Sequence, residues 1–101
     1  MNNRILNKKT IYEELRKHKP VLEQYGVKQI GLFGSFVRGE AHEKSDIDFL
    51  VDFEKEKKTL SNLVALGDFL ENLFHKKVDI VTPQGLSPFI GPYILKEVQY
   101  A

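Results

Sequence analysis

Cysteine is absent from the chain. That excludes disulfides, zinc–thiolate centres and cysteine nucleophiles, and it fits a reducing cytoplasm. No apolar run reaches membrane-spanning length and no signal-peptide pattern opens the chain, so a soluble cytoplasmic protein is expected. An excess of one charge is missing too. Fifteen basic residues face 14 acidic ones, for a net charge of +1, with the two signs interspersed. Such a surface has no general attraction for nucleic acid. Internal repeats and long linkers are also lacking. At 101 residues, the sequence predicts one domain over 1–101 with a modest core.

What is present is concentrated between Gly31 and Val51, GLFGSFVRGEAHEKSDIDFLV. An apolar run, Ile30-Gly31-Leu32-Phe33, stops at Gly34-Ser35, and Arg38-Gly39 opens a polar connection. A second apolar run then starts through Ser45-Asp46-Ile47-Asp48 and continues as Phe49-Leu50-Val51. In a strand, Asp46 and Asp48 point to one face, their α-carbons roughly 6–7 Å apart at a rise of about 3.3 Å per residue. Carboxylates so placed repel one another unless a cation lies between them, and an oxygen-loving ion such as Mg²⁺ suits them. The Gly34-Ser35 turn would open a short helix whose unpaired N–H groups attract phosphate. Metal carboxylates facing an anion-binding turn suggest a nucleoside triphosphate held for attack at phosphorus.

The remaining chain supplies a frame. Residues 1–9 are polar and read as frayed. Thr10 followed by Glu13 reads as a capping box, so a helix is expected from Ile11 with Ile11, Tyr12 and Leu15 buried. Lys19-Pro20 should end or kink it, and Pro20 can open the next turn, closed by Gly26. Strands are expected over Val27–Phe33 and Ile47–Phe53, with a helical turn at 35–37 between them. The charge run EKEKK at 54–58 reads as a solvated loop tip. Apolar residues at Leu60, Leu63, Val64, Leu66, Phe69, Leu70, Leu73 and Phe74 predict a helix over Leu60–Phe74 with one broad buried face. Val78-Asp79-Ile80-Val81 is a short strand carrying one carboxylate. Thr82-Pro83-Gln84-Gly85 is a turn, and Ser87-Pro88 and Gly91-Pro92 each read as a stop and a helical start. Ile94, Leu95 and Val98 give the last helix a small apolar face. Alternating strands and helices point to an α/β sandwich, a small mixed sheet packed with helices.

Gly34-Ser35, Arg38-Gly39 and Ser45-Asp46-x-Asp48 match G-S-x-x-R-G-x(5)-S-D-x-D. This resembles the signature of the DNA polymerase β-like nucleotidyltransferase superfamily, and the short chain looks like its minimal nucleotidyltransferase (MNT) branch. Phe36-Val37 is a mild departure, since an aromatic followed by a small residue is commoner there. The resemblance implies the nucleotidyltransferase (polymerase β-like) fold, in which the first two strands pair antiparallel and the third brings a third carboxylate, here Asp79, beside the pair. It implies that Asp46, Asp48 and Asp79 are the catalytic residues and the ligands of two Mg²⁺ ions. Asp79 would also accept the proton of the incoming hydroxyl. Gly34, Ser35, Arg38 and Ser45 would be the nucleotide-binding residues, with Ser45 orienting Asp46. The activity implied is transfer of AMP from ATP to an acceptor hydroxyl. MNT proteins are often encoded beside a HEPN-domain ribonuclease toxin and act as antitoxins by adenylylating a tyrosine of it. The resemblance therefore makes a HEPN partner, with that tyrosine as acceptor, the expectation. A non-catalytic antitoxin acting by binding alone, and transfer to a small molecule or an RNA end, are the alternatives.

Each residue also has a plainer reading. Asp46 can cap a turn, Asp79 can be an edge-strand charge, Ser35 an N-cap and Arg38 a solvated side chain. Arg38 lies one helical turn from Ser35 and can reach either the triphosphate or a nearby carboxylate. His18, His42 and His75 show no mutual ligand spacing and are expected at the surface. Phe33, Phe36, Phe49 and Phe53 are expected in the core or a pocket wall.

Overall fold

The computed structural model describes residues 6–101. Helix α1 spans Lys8–Lys17, α2 Lys19–Gln24, α3 Ser35–Arg38, α4 Leu60–Phe74 and α5 Gly91–Glu97. Strands β1 (Val27–Phe33), β2 (Ile47–Phe53), β3 (Val78–Val81) and β4 (Gln99–Tyr100) form one sheet in the order β3-β2-β1-β4. β1 pairs antiparallel with β2 and β4, whereas β2 and β3 run parallel. A mixed sheet packed with helices is what the alternating pattern predicts.

The first helix starts earlier than its sequence suggests. Asn7, not Thr10, is the N-cap: its side chain accepts from Thr10 N at 2.9 Å, and the Thr10 hydroxyl accepts from Asn7 N at 3.0 Å. Asn and Thr are both good capping residues, and the reciprocal pair satisfies two backbone donors at once. Lys8 and Lys9, read as frayed, are therefore helical, while 1–5 lie outside the described residues. Ile11, Tyr12 and Leu15 are buried as expected, and Pro20 sits in the first turn of α2.

The core lies between one face of the sheet and α1, α2 and α4. Ile47, Phe49, Val51 and Phe53 of β2 alternate onto that face, where they meet Ile11, Leu15 and Leu22 and Leu66, Leu70 and Phe74 of α4. Period-2 alternation in β2 thus fills the core from odd positions and leaves Asp48, Leu50 and Asp52 to the other face. Helix α4 spans the residues expected, but its buried face is narrower. Leu60 and Val64 stay 75% and 55% exposed, because the helical period turns them away from the stripe that Leu66, Leu70 and Phe74 bury.

The C-terminal segment departs most from expectation. No helix starts at Pro88. Helix α5 ends at Glu97, before Val98, and leads into β4, which pairs with Gly31 and Leu32. The Tyr12 hydroxyl donates to the Gln99 carbonyl, tying α1 to this strand across the edge of the sheet. Gly31 is needed beneath it: a Cβ there would collide with the side chains of Val98 and Tyr100. His18 is half-buried rather than at the surface, its Nδ1 2.9 Å from the Glu14 carbonyl and its ring edge-on to Phe69.

Candidate active site

Register builds the site. Asp48 pairs with Phe33 across β1–β2 and with Asp79 across β2–β3. Directly paired residues project to one face, so Asp48 and Asp79 emerge side by side on the sheet face opposite the helical core. Asp46 lies just before β2, exposed, and Asp79 is exposed on the edge strand. Asp48 alone is half-buried. Desolvation, then the charges of Asp79 and Asp46, push its carboxyl up to about 6, while Arg38 pulls in the opposite direction.

The turn after β1 comes up against this carboxylate. Gly34 has φ 79° and ψ −151°, in the region that favours glycine. A Cβ at this position would collide with Oδ2 of Asp48, so only glycine lets the Asp48 carboxylate lie against the turn. Half-buried Ser35 then begins α3, and Gly39, in the left-handed conformation, closes it. Arg38 reaches the carboxylate arm of its expectation. Its Nε donates to Glu40 at 2.9 Å and its Nη1 to Glu97 at 2.6 Å. Ser45 is turned to its own loop, where its hydroxyl accepts from His42 N at 2.9 Å and its N–H donates to the His42 carbonyl at 2.9 Å. That closes the connection one residue before Asp46.

Glu97 joins the site from the far end of the chain. It ends α5, and its second carboxylate oxygen accepts from Gly34 N at 2.8 Å. Nothing in its spacing could have flagged it, because it meets the turn from 63 residues away. Phe33, Phe36, Phe49 and Phe53 are all buried; Phe33 alone belongs to the face that carries the carboxylates. His42 and His75 are exposed and take no part. A hollow of about 510 Å³ beside Leu15, Leu22, Val27 and Ile30 lies at the opposite end of β1, away from the carboxylates.

Among the described residues, no three acidic or histidine side chains close into a cage around a metal ion. The donor set nonetheless fits Mg²⁺, which keeps several waters and is held by one or two carboxylates plus substrate phosphates. After desolvation, repulsion from Asp79 and Asp46 is what lifts the Asp48 carboxyl, and a divalent cation would relieve that repulsion.

A mixed sheet that places paired carboxylates beside a glycine-opened turn is the framework of a phosphoryl- or nucleotidyl-transferring protein. The chain belongs to the nucleotidyltransferase domain family, whose model matches residues 10–101, and it is a nucleotidyltransferase. It is 47% identical over 87 residues to the protein adenylyltransferase MntA of Thermococcus cleftensis, covering 85% of this chain and 87% of that protein. A solved structure described as a minimal nucleotidyltransferase superposes with a TM-score of 0.80 at 34% identity, covering 93% of this chain and 95% of the other. A chain from a crystal structure of a toxin–antitoxin pair with AMP-PNP superposes at 0.66 with 25% identity, covering 94% and 72%.

Proposed function

We propose that this protein is a Mg²⁺-dependent adenylyltransferase that moves AMP from ATP onto a hydroxyl of a partner protein, as the antitoxin of a toxin–antitoxin pair. The observation that carries the reading is the register that sets Asp48 beside Asp79 and against the Gly34 turn. The likeness to a protein adenylyltransferase and to a toxin–antitoxin structure holding an ATP analogue supports the nucleotide and the partner.

In this reading the Gly34–Ser35 turn and Arg38 hold the β- and γ-phosphates, and Asp46, Asp48 and Asp79 are the metal ligands. Two Mg²⁺ ions, when bound, neutralise charge on the triphosphate and make the attacking hydroxyl more acidic. The acceptor oxygen forms a bond to the α-phosphorus as the bond from that phosphorus to the pyrophosphate oxygen breaks. The hydroxyl proton passes to Asp79, and pyrophosphate leaves. Ser45 contributes by fixing the loop that delivers Asp46. Little covalent chemistry falls to the chain beyond positioning and charge neutralisation.

The acceptor is a tyrosine of a HEPN-domain partner. Asp46 and Asp79 are exposed, so an incoming protein hydroxyl has direct access to them. The test is base-labelled ATP with Mg²⁺ and this protein, with and without the product of the neighbouring gene, followed by intact-mass analysis. AMP on a partner tyrosine, abolished by Asp46→Asn, is the expected result. Tight binding of the partner without transfer would leave a binding antitoxin instead. Labelling of a small molecule or an RNA end in the partner's absence would reassign the acceptor.

A further inference from the structure

Glu97 is a charged residue that the proposed chemistry does not use, yet it sits at the centre of the site. One carboxylate oxygen accepts from Gly34 N at 2.8 Å and the other from Arg38 Nη1 at 2.6 Å. A backbone N–H of a glycine turn and a guanidinium are the donors that recognise phosphate oxygens. We infer that Glu97 is an internal stand-in for phosphate: it occupies the donors of the nucleotide-free turn and leaves them when the triphosphate binds, so that α5 acts as a built-in competitor of the nucleotide. This rests on the nucleotidyltransferase reading of the turn and adds a regulatory contact to it.

Three observations support exchange rather than a fixed structural bond. The carboxylate lies among its own kind, because the charge of Glu97 acts on Asp48 in the same repulsive sense as Asp79 and Asp46. Arg38 is the cation it pairs with, and that guanidinium is half-exposed and shared with Glu40. The chain on either side is also unequally held. After Glu97, β4 is fixed by its ladder to Gly31 and Leu32, by the Tyr12 hydroxyl on Gln99, and by the close fit of Val98 and Tyr100 over Gly31. Before Glu97, α5 has seven residues, no side-chain cap, and Tyr93 and Leu95 exposed at 75% and 53%. The strand is the anchor and the helix the arm, so Glu97 can swing away without disturbing the sheet.

The contact gives a definite sign. Glu97→Gln keeps the shape of the side chain and removes the charge that competes with phosphate, so it should tighten Mg·ATP binding about tenfold in titration calorimetry. Glu97→Asp, which shortens the reach by one methylene and keeps the charge, should tighten it by a smaller factor and covers the case of a misfolded Gln variant. In the wild type, amide exchange across Gly91–Glu97 should quicken on saturation with Mg·ATP; in Glu97→Gln it should be fast from the start. A Glu97 that merely orients Arg38 would instead give equal or weaker binding in both variants and no nucleotide-dependent exchange, and the proposal would be wrong. Should the wild type bind no Mg·ATP, binding unmasked in Glu97→Gln would still establish the competitor. Its absence there too would bring down the competitor together with the nucleotide reading.

Discussion

Burial and the charges of Asp79 and Asp46 lift the Asp48 carboxyl to about 6, so the native protein keeps its proton where the unfolded chain, near 4, has lost it. With the folded value above the unfolded one, the associated stability is present in full below about pH 4 and is lost as pH rises through about 6. Thermal melts in EDTA should therefore show a Tm that declines across that window, and Asp48→Asn should flatten the decline. At neutral pH the Asn variant should be more stable than the wild type. After discounting for the solvent that screens a half-exposed group, the gain is about 1 kcal/mol, or roughly 4–8 °C in Tm for a domain of this size. The same substitution should lower AMP transfer by on the order of a hundredfold or more. A stabilising change that abolishes activity marks a residue kept for chemistry. Gly34→Ala should reverse the effect on stability and share the effect on transfer. It forces a side chain into a left-handed conformation and into the Asp48 carboxylate, so it should destabilise by roughly 1–3 kcal/mol and also cut transfer. Equal activity in the alanine variant would argue that the turn plays no part.

At the scale of elements, α4 separates pattern from burial. Its spacing predicts one apolar face, yet only Leu66, Leu70 and Phe74 are buried, and Leu60 and Val64 face outward. Leu66→Ala should therefore lower stability by about 2–5 kcal/mol in chemical denaturation, as expected for a cavity in a closed core. Leu60→Ala should stay within about 0.5 kcal/mol of the wild type. A large loss at Leu60 in the isolated protein would contradict the packing described. The cap of α1 gives a second contrast. Asn7→Ala should destabilise by about 1 kcal/mol, because Asn7 rather than Thr10 supplies the acceptor at the start of the helix.

For the whole molecule, the cluster of Asp46, Asp48, Asp79 and Glu97 makes ligand binding and stability one problem. Mg·ATP at a hundred times its dissociation constant should stabilise the fold by about 2.7 kcal/mol, a rise in Tm that EDTA reverses. Asp46→Asn and Asp48→Asn should blunt the shift, and an unchanged shift in both would remove the carboxylates from the binding site. The patterns that made the fold legible are local ones. Alternation marks β2, helical period marks α4, and prolines and glycines mark the turns, because each reports neighbours a few residues apart. The spacing from Gly34 to Asp48 was legible for the same reason: one hairpin holds the turn and the strand together, so the motif is nearly a local structure.

Tertiary structure alone decided the rest. The sequence contains Asp79, but the β2–β3 register, a long-range pairing, places it opposite Asp48. Strand β4 is two residues long and carries no periodicity of its own; it exists because Gly31 leaves room for Val98 and Tyr100 and Tyr12 donates to Gln99. Which part of the broad apolar face of α4 is enclosed depends on what packs against it, which no window of α4 contains. Glu97 is the clearest case. As a lone carboxylate in the short, largely apolar C-terminal segment it carries no signal, and its meaning arises when folding brings it against the Gly34 N–H and the Arg38 guanidinium. Hydrogen-bond geometry between groups this far apart in the chain is a property of the packed molecule and is encoded by no local pattern.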